Sequence, residues 1–243
     1  MDFQLTEQQE LIRKEVATLA RSFSLEYWLE KDRKAEYPAD WIRAFAQAGW
    51  LGMIIPEDYG GSGLGVTEAT VMLHEICAAG AGTTGASPIH FYLFPPMPVI
   101  KHGSEDLKRR YLPRIAAGEI VMSFGVTEPN AGTDTSRIQT RAERHGDGYV
   151  VIGRKVWNTN AQHATHTLLL ARTSPREARR RCLATSAETL SAAMTMAVFA
   201  SPPADLSKRA ARCGDTPAAA ATRRRARSRS FADVGRRSTI RLS

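Results

Sequence analysis

The apolar residues of this chain change their period once, near residue 119, and that switch limits the fold more than any single motif does. Upstream the spacing is helical. Thr6 with Gln9 three residues later forms a capping box, and Ile12, Val16, Leu19, Ala20 and Phe23 then build one stripe. A second helix is expected to open at Pro38, in its first turn, and to run through Trp41 and Phe45 to Gly49 as its cap. A third is expected from Thr67, with Val66 stapled against Val71, and stopped by Gly80 and Gly82. Ser104 caps a fourth that ends before Pro113. Downstream, EIVMSFGV alternates as a strand does, RIQTRA, YVVIGRKVW and THTLLLAR follow as further strands, and HGDG supplies a turn. Helices first and strands second predict an α+β chain: a helical domain over 1–118, then β structure over 119–173.

From about Ser174 neither period persists. Residues 174–243 hold 16 Ala, 14 Arg and 9 Ser against one Lys, with 15 Lys+Arg to 5 Asp+Glu. Residues 1–173 are close to neutral, with 18 against 20, so the basicity belongs to this tail and the body does not read as a nucleic-acid binder. The tail is expected to be disordered. Its bias resembles a GC-rich coding region read in the wrong frame, a hypothesis that fails if neither other frame of the nucleotide sequence restores helical spacing. An authentic arginine-rich arm for nucleic acid or anionic surfaces is the rival reading, and makes the chain a non-catalytic binding or regulatory protein. No apolar run nears the roughly 18 residues of a membrane span, and MDFQLTEQQE is no secretory leader, so a cytoplasmic location is expected. Cys77, Cys182 and Cys213 are widely spaced with no CxxC, which points to incidental or buried thiols and no metal site.

The glycine-rich EDYGGSGLG (57–65) fails both common phosphate-loop spacings and reads as a tight connection between helices. His163 and His166 lack a third ligand nearby, and His74 and His90 are isolated. FGVTEPNAGTDTSRI (124–138) followed by KVWNTN (155–160) is more informative. A strand ending at Val126 delivers the Thr127 hydroxyl, and a tight turn follows with Gly132, Thr133 and Asp134. Trp157 and Thr159, two apart on a strand, are expected to face one side and to offer an apolar plate beside a hydroxyl. That suits a flat heteroaromatic ring; a plain turn beside a core tryptophan fits the same residues.

FGVTEPNAGTDTS, GDGYVVIGRKVWNTNAQHATHTLLLART and the upstream PADWIRAFAQAGWLGMIIPEDYGGSG together resemble the N-terminal and middle domains of an acyl-CoA dehydrogenase, in that family's order and spacing, over about residues 1–173. The resemblance implies FAD held against an incomplete, barrel-like middle β domain, an acyl-CoA substrate, and electrons passed to a carrier such as an electron-transfer flavoprotein. By position, Phe124, Val126 and Thr127 resemble the segment that bonds the flavin ring, Val126 through its main chain. Gly132 and Thr133 resemble the turn at the FAD pyrophosphate, with Thr133 also meeting the CoA end of the substrate. Trp157, Asn158 and Thr159 resemble the second flavin segment. Asn130, Thr133 and Asn158 depart from the usual glycine, serine and apolar residue. The family's C-terminal helical bundle, which carries the catalytic base and builds the homo-oligomer, finds no counterpart in the tail. The expectation is therefore a fragment with no catalytic residue assigned, Glu128 structural, and little or no activity as it stands.

Overall fold

The computed structural model describes residues 4–146 and 148–173, together with the backbone of 194–200 and 238–240. The frameshift and basic-arm readings, and Cys182 and Cys213, fall outside the described residues.

Helix α1 (Glu7–Arg21) opens with the capping box read from the sequence: Thr6 Oγ1 accepts from the Gln9 N–H at 3.2 Å, and Gln9 Oε1 accepts from the Thr6 N–H at 3.1 Å. Its buried stripe of Ile12, Val16 and Ala20 packs against α4 (Val66–Ile76). Gly65, not Thr67, caps α4. Its N–H donates to Glu68 Oε2 at 3.0 Å, while Gln9 Nε2 donates to Glu68 Oε1 at 2.8 Å, so one carboxylate finishes α4 and ties it to α1. Val66 is therefore helical and exposed, with no staple to Val71. Between them lie α2 (Leu25–Lys34), which the sequence reading missed, and α3 (Ala39–Gln47), capped by Pro38 itself.

Gly80 and Gly82 kink the chain rather than stop it. A π-turn over Cys77–Ala81, with Gly80 at φ +106°, leads directly into α5 (Gly82–His90). Close approach explains Gly85: a Cβ there would lie 2.5 Å from Ala81 Cβ and 3.2 Å from the Trp28 ring. Trp41 Nε1 donates to the Gly85 carbonyl at 2.9 Å and locks α3 to α5. Helices α6 (Met97–His102) and α7 (Glu105–Ala116) follow. Ser104 caps α7, which runs through Pro113 rather than ending before it. EDYGGSGLG is a tight connection containing a 3-10 turn. Cys77 is exposed, not buried. No helix among the described residues is long and apolar enough to cross a membrane.

The sheet begins with β1 (Met122–Gly125), parallel to β4 (His166–Arg172). Strands β2 (Arg141–His145) and β3 (Gly148–Ile152) form a hairpin with Gly146 at φ +58°, and β2 meets β4 at Arg141 and Arg172. One expected strand is displaced along the chain and another is shorter than the sequence implies. A 3-10 turn over Thr135–Arg137 delays β2, and β3 ends at Ile152, well before Trp157. The tail contributes β5 (Met194–Ala200), antiparallel to β4, and β6 (Ser238–Ile240), antiparallel to β3. Expected disorder does not hold for those ten residues. MTMAVFA is apolar apart from Thr195, so it lacks the full alternation that marks a half-buried strand in sequence.

One large core runs from Ile12 through Trp41, Phe45, Met72 and Leu112 to Leu168 on β4. A smaller one holds Ala131, Ile138 and Leu170, with Val126 against it.

Candidate cofactor site

Two irregular ribbons leave the sheet side by side. The first continues β1 through Val126 and Thr127, both half-buried, into a turn closed by Glu128 N–H to Ala131 O at 2.9 Å and Ala131 N–H to Glu128 O at 3.2 Å. That turn uses ordinary backbone angles at Asn130. Among the described residues the non-glycine positions with positive φ are Ala35, Trp157 and Asn160. Gly132 and Thr133 lie on the exposed stretch beyond it, where Asp134 caps the 3-10 turn, and Arg172 donates to the Ile138 carbonyl at 2.7 Å and to the Ser136 carbonyl at 2.6 Å.

The Glu128 side chain points inward and accepts from the Gln139 N–H at 2.6 Å, the Thr140 N–H at 2.9 Å and Lys155 Nζ at 2.9 Å. Burial alone would raise its pKa, but the hydrogen bonds from Thr140, Gln139 and Lys155 outweigh it and hold the carboxyl at about 2. Burial in turn lowers the Lys155 pKa against the pull of Glu128. The pair is nearly dry, with side chains 7% and 5% exposed.

The second ribbon follows β3. Gly153 presses on Thr140, where a Cβ would fall 2.3 Å from Oγ1. Lys155 Nζ reaches the Val126 carbonyl at 2.8 Å, and the Val156 N–H donates to the Thr127 carbonyl at 2.9 Å. The next residue, Trp157, is left-handed at φ +60° and 88% exposed. A bulky residue in that region is an outlier, and such strain concentrates at functional sites. Asn160, also left-handed at φ +64°, accepts from the His163 and Ala164 N–H groups at 3.1 and 3.0 Å and turns the chain toward β4.

The structure thus brings Val126 and Thr127 against the ribbon of Trp157 and Asn158, but not through a strand. Trp157 and Thr159 lie beyond β3 in irregular chain, so period-two facing does not apply to them. A core tryptophan is excluded by its exposure. Asn158 lies over Gly125, with its Nδ2 3.6 Å from where a Cβ would be, and its buried Oδ1 has no hydrogen-bond partner. Phe124 turns elsewhere: its ring meets Phe94 edge-on at 5.1 Å, within the helical core. Thr159 is exposed and lines a cleft of about 360 Å³ between the second ribbon and the helices, with Tyr37, Ser87, Phe91 and His163. His163 stacks on Tyr37 at 4.4 Å, while His166 meets Tyr111 edge-on at 5.6 Å, so the two histidines serve different neighbours. Lys155 and Arg172 were not singled out in the sequence. Each is a cation abutting an apolar run, VW after Lys155 and LLLA before Arg172, and that pattern could have flagged buried partners.

Two family models cover most of the chain: the acyl-CoA dehydrogenase N-terminal domain matches residues 6–119, and the acyl-CoA dehydrogenase middle domain matches residues 123–211. The chain belongs to the acyl-CoA dehydrogenase family. The middle-domain match passes Thr173, so the likeness extends beyond the point where the sequence reading ended it. An acyl-CoA dehydrogenase of Mycobacterium tuberculosis is 34% identical over 173 residues, 69% of this chain and 42% of its own length. Among solved structures, glutaryl-coenzyme A dehydrogenase in complex with glutaryl-CoA is 26% identical with TM-score 0.72, covering 82% of this chain and 48% of that one. The FAD complex of PigA is 25% identical with TM-score 0.66, covering 72% and 46%. The chain spans less than half the length of these curated relatives.

Proposed function

We propose that this chain supplies one wall of a FAD site for the α,β-dehydrogenation of an acyl-CoA thioester, with electrons leaving to a carrier protein such as an electron-transfer flavoprotein. The observation that carries the reading is Trp157: a left-handed, almost fully exposed indole, pinned one residue after a bond to the Thr127 ribbon. A chain that exposes so large an apolar side chain on strained backbone is presenting it to something flat and apolar. Three further features fit a flavin. Asn158 Oδ1 is a buried acceptor without a donor, and a flavin ring carries an N–H. Thr127 and Thr159 bring hydroxyls, Thr159 on the cleft wall. Gly132 has open space around it, enough for a phosphate to approach the main chain.

Bound FAD supplies the hydride acceptor of the reaction. The chain's own residues bind and orient: the Trp157 indole covers a ring face and excludes water, Val126 offers main-chain bonds, Thr127 and Thr159 fix the ring edge, and Thr133 meets the pyrophosphate or the CoA end of the substrate. The reading gives this chain no catalytic base, and Glu128 is unsuited to that task because its carboxylate is held by three donors. Turnover is therefore expected to be weak or absent for this chain alone.

Titrating the purified protein with FAD tests the reading. Yellow protein whose flavin is lost in Trp157→Ala and Thr127→Val supports it, and bleaching by an acyl-CoA extends it to substrate. Colourless protein that instead binds nucleic acid in a salt-sensitive way favours the basic-arm reading and rejects this one.

A further inference from the structure

Consecutive carbonyls on the first ribbon, those of Val126 and Thr127, accept from consecutive residues on the second, Lys155 and Val156. One of these bonds is an ordinary main-chain contact. The other comes from a side-chain ammonium that the fold has buried at some expense, since desolvating a charge is costly unless it is fully partnered. Lys155 Nζ is partnered by the Val126 carbonyl and by Glu128 Oε1, and Glu128 is fixed in turn by the N–H groups of Gln139 and Thr140 at the approach to β2. The ammonium therefore joins three pieces of chain: the end of β1, the start of β2 and the ribbon after β3. A well-packed apolar pair would hold these pieces together as firmly. What the ion pair adds is direction, because a donor within 2.9 Å of two fixed oxygens cannot slide along the ribbon.

Trp157 comes two residues later. A left-handed tryptophan persists only where its surroundings over-determine it. Downstream, the turn at Asn160 is closed by two amides. Upstream, Lys155 and Val156 are the anchors. We infer that Lys155 is a positioning residue: by bridging Val126 and Glu128 it sets the register of the two ribbons, turns Trp157 outward, and so governs how tightly the flavin ring is held. Lys155 is not placed in contact with the ring. Both of its acceptors belong to the protein. The inference rests on the cofactor reading above for its consequence, but not for the clamp itself.

The test compares full-length wild type with Lys155→Met, Lys155→Arg and Glu128→Gln, well below each unfolding midpoint. Trp157 emission is isolated by subtracting the spectrum of the matching Trp157→Phe chain, and its quenching by acrylamide is measured without flavin. FAD affinity is then titrated. The expected result is altered Trp157 quenching and at least about tenfold weaker FAD binding in Lys155→Met, with most of both restored in Lys155→Arg. Unchanged Trp157 quenching in Lys155→Met overturns the inference, as does an FAD affinity lost equally in Met and Arg variants, which marks mere fold stability. Should Lys155→Met not fold, Glu128→Gln carries the quenching and FAD comparison instead, because it removes the charge facing the ammonium while its one amide oxygen still accepts from either Gln139 or Thr140. If wild type takes up no FAD, the cofactor reading falls, while the quenching comparison still decides the clamp.

Discussion

Glu128 and Trp157 are opposite extremes of what one residue contributes here. Glu128 is dry, held by three donors, and its pKa is lowered to about 2 from the ordinary 4.5. A depressed folded pKa gives stability that is complete above the unfolded value and lost as pH falls from about 4.5 toward 2, up to about 3 kcal/mol in all. Thermal midpoints of wild type should therefore drop more steeply across that window than those of Glu128→Gln; parallel curves would deny the carboxylate its role. Glu128→Ala should be harsher, about 3 to 5 kcal/mol at neutral pH by urea titration, because it strands the Lys155 charge. Trp157 contributes nothing comparable to the fold. Replacing it with glycine relieves about 1 to 2 kcal/mol of left-handed strain and adds about 0.5 to 1 kcal/mol of chain entropy. The flavin-free unfolding free energy of Trp157→Gly, from urea titration, should stay within about 1 kcal/mol of wild type, while FAD uptake collapses. A large loss of flavin-free stability would mean that the indole is structural.

Connections and caps decide the elements. A Cβ on Gly61 would meet the Ile55 carbonyl oxygen at 1.9 Å and that of Gly52 at 2.5 Å, both backbone, so neither neighbour can move aside alone. Gly49 faces open space and only its φ of +80° resists a side chain. Gly61→Ala should cost at least about 3 kcal/mol and Gly49→Ala about 1 to 2 kcal/mol, read from urea midpoints. The sequence makes one of these costs partly legible, since GG after EDY marks a tight connection, but not which glycine is irreplaceable. The caps at Thr6 and Ser104 were legible because a hydroxyl three residues before its amide is local chemistry. Helix α2 was not. Trp28 is its one buried residue, and Leu25 and Leu29 face solvent, so no clean stripe announces it. Helix α5 was hidden by GTTGASPIH, which argues against a helix by composition and becomes one through packing against Trp28 and Trp41. The site shows the same division. Its residue types and order were legible, whereas the geometry of Trp157 depends on a long-range clamp, Lys155 to Glu128 across 27 positions, that no local period encodes.

At the scale of the whole molecule, burial is unevenly shared. The large core links all the long helices to β1 and, through Leu168, to β4. The second core has three buried residues, and on β2 only Ala142 is buried. Hydrophobic stabilisation scales with apolar area removed from water, so the helical body should open only with global unfolding, while the β2–β3 hairpin opens at lower free energy. Amide exchange separates the two: Val16, Ala20 and Ile76 should report the global stability, and Ala142 and Val151 a value several kcal/mol smaller. Equal protection in both sets would make the chain one cooperative unit and refute the division. FAD sharpens the comparison. A ligand that needs both ribbons in register stabilises the folded arrangement by RT ln(1 + [L]/Kd), about 2.7 kcal/mol at a hundredfold excess over Kd. If the ribbons open together with the hairpin, FAD should raise the protection of Ala142, Val151 and Val156 by that amount. The helical amides should gain the same increment at most, because they already wait on global unfolding. A gain confined to the helices would place the bound flavin elsewhere on the protein.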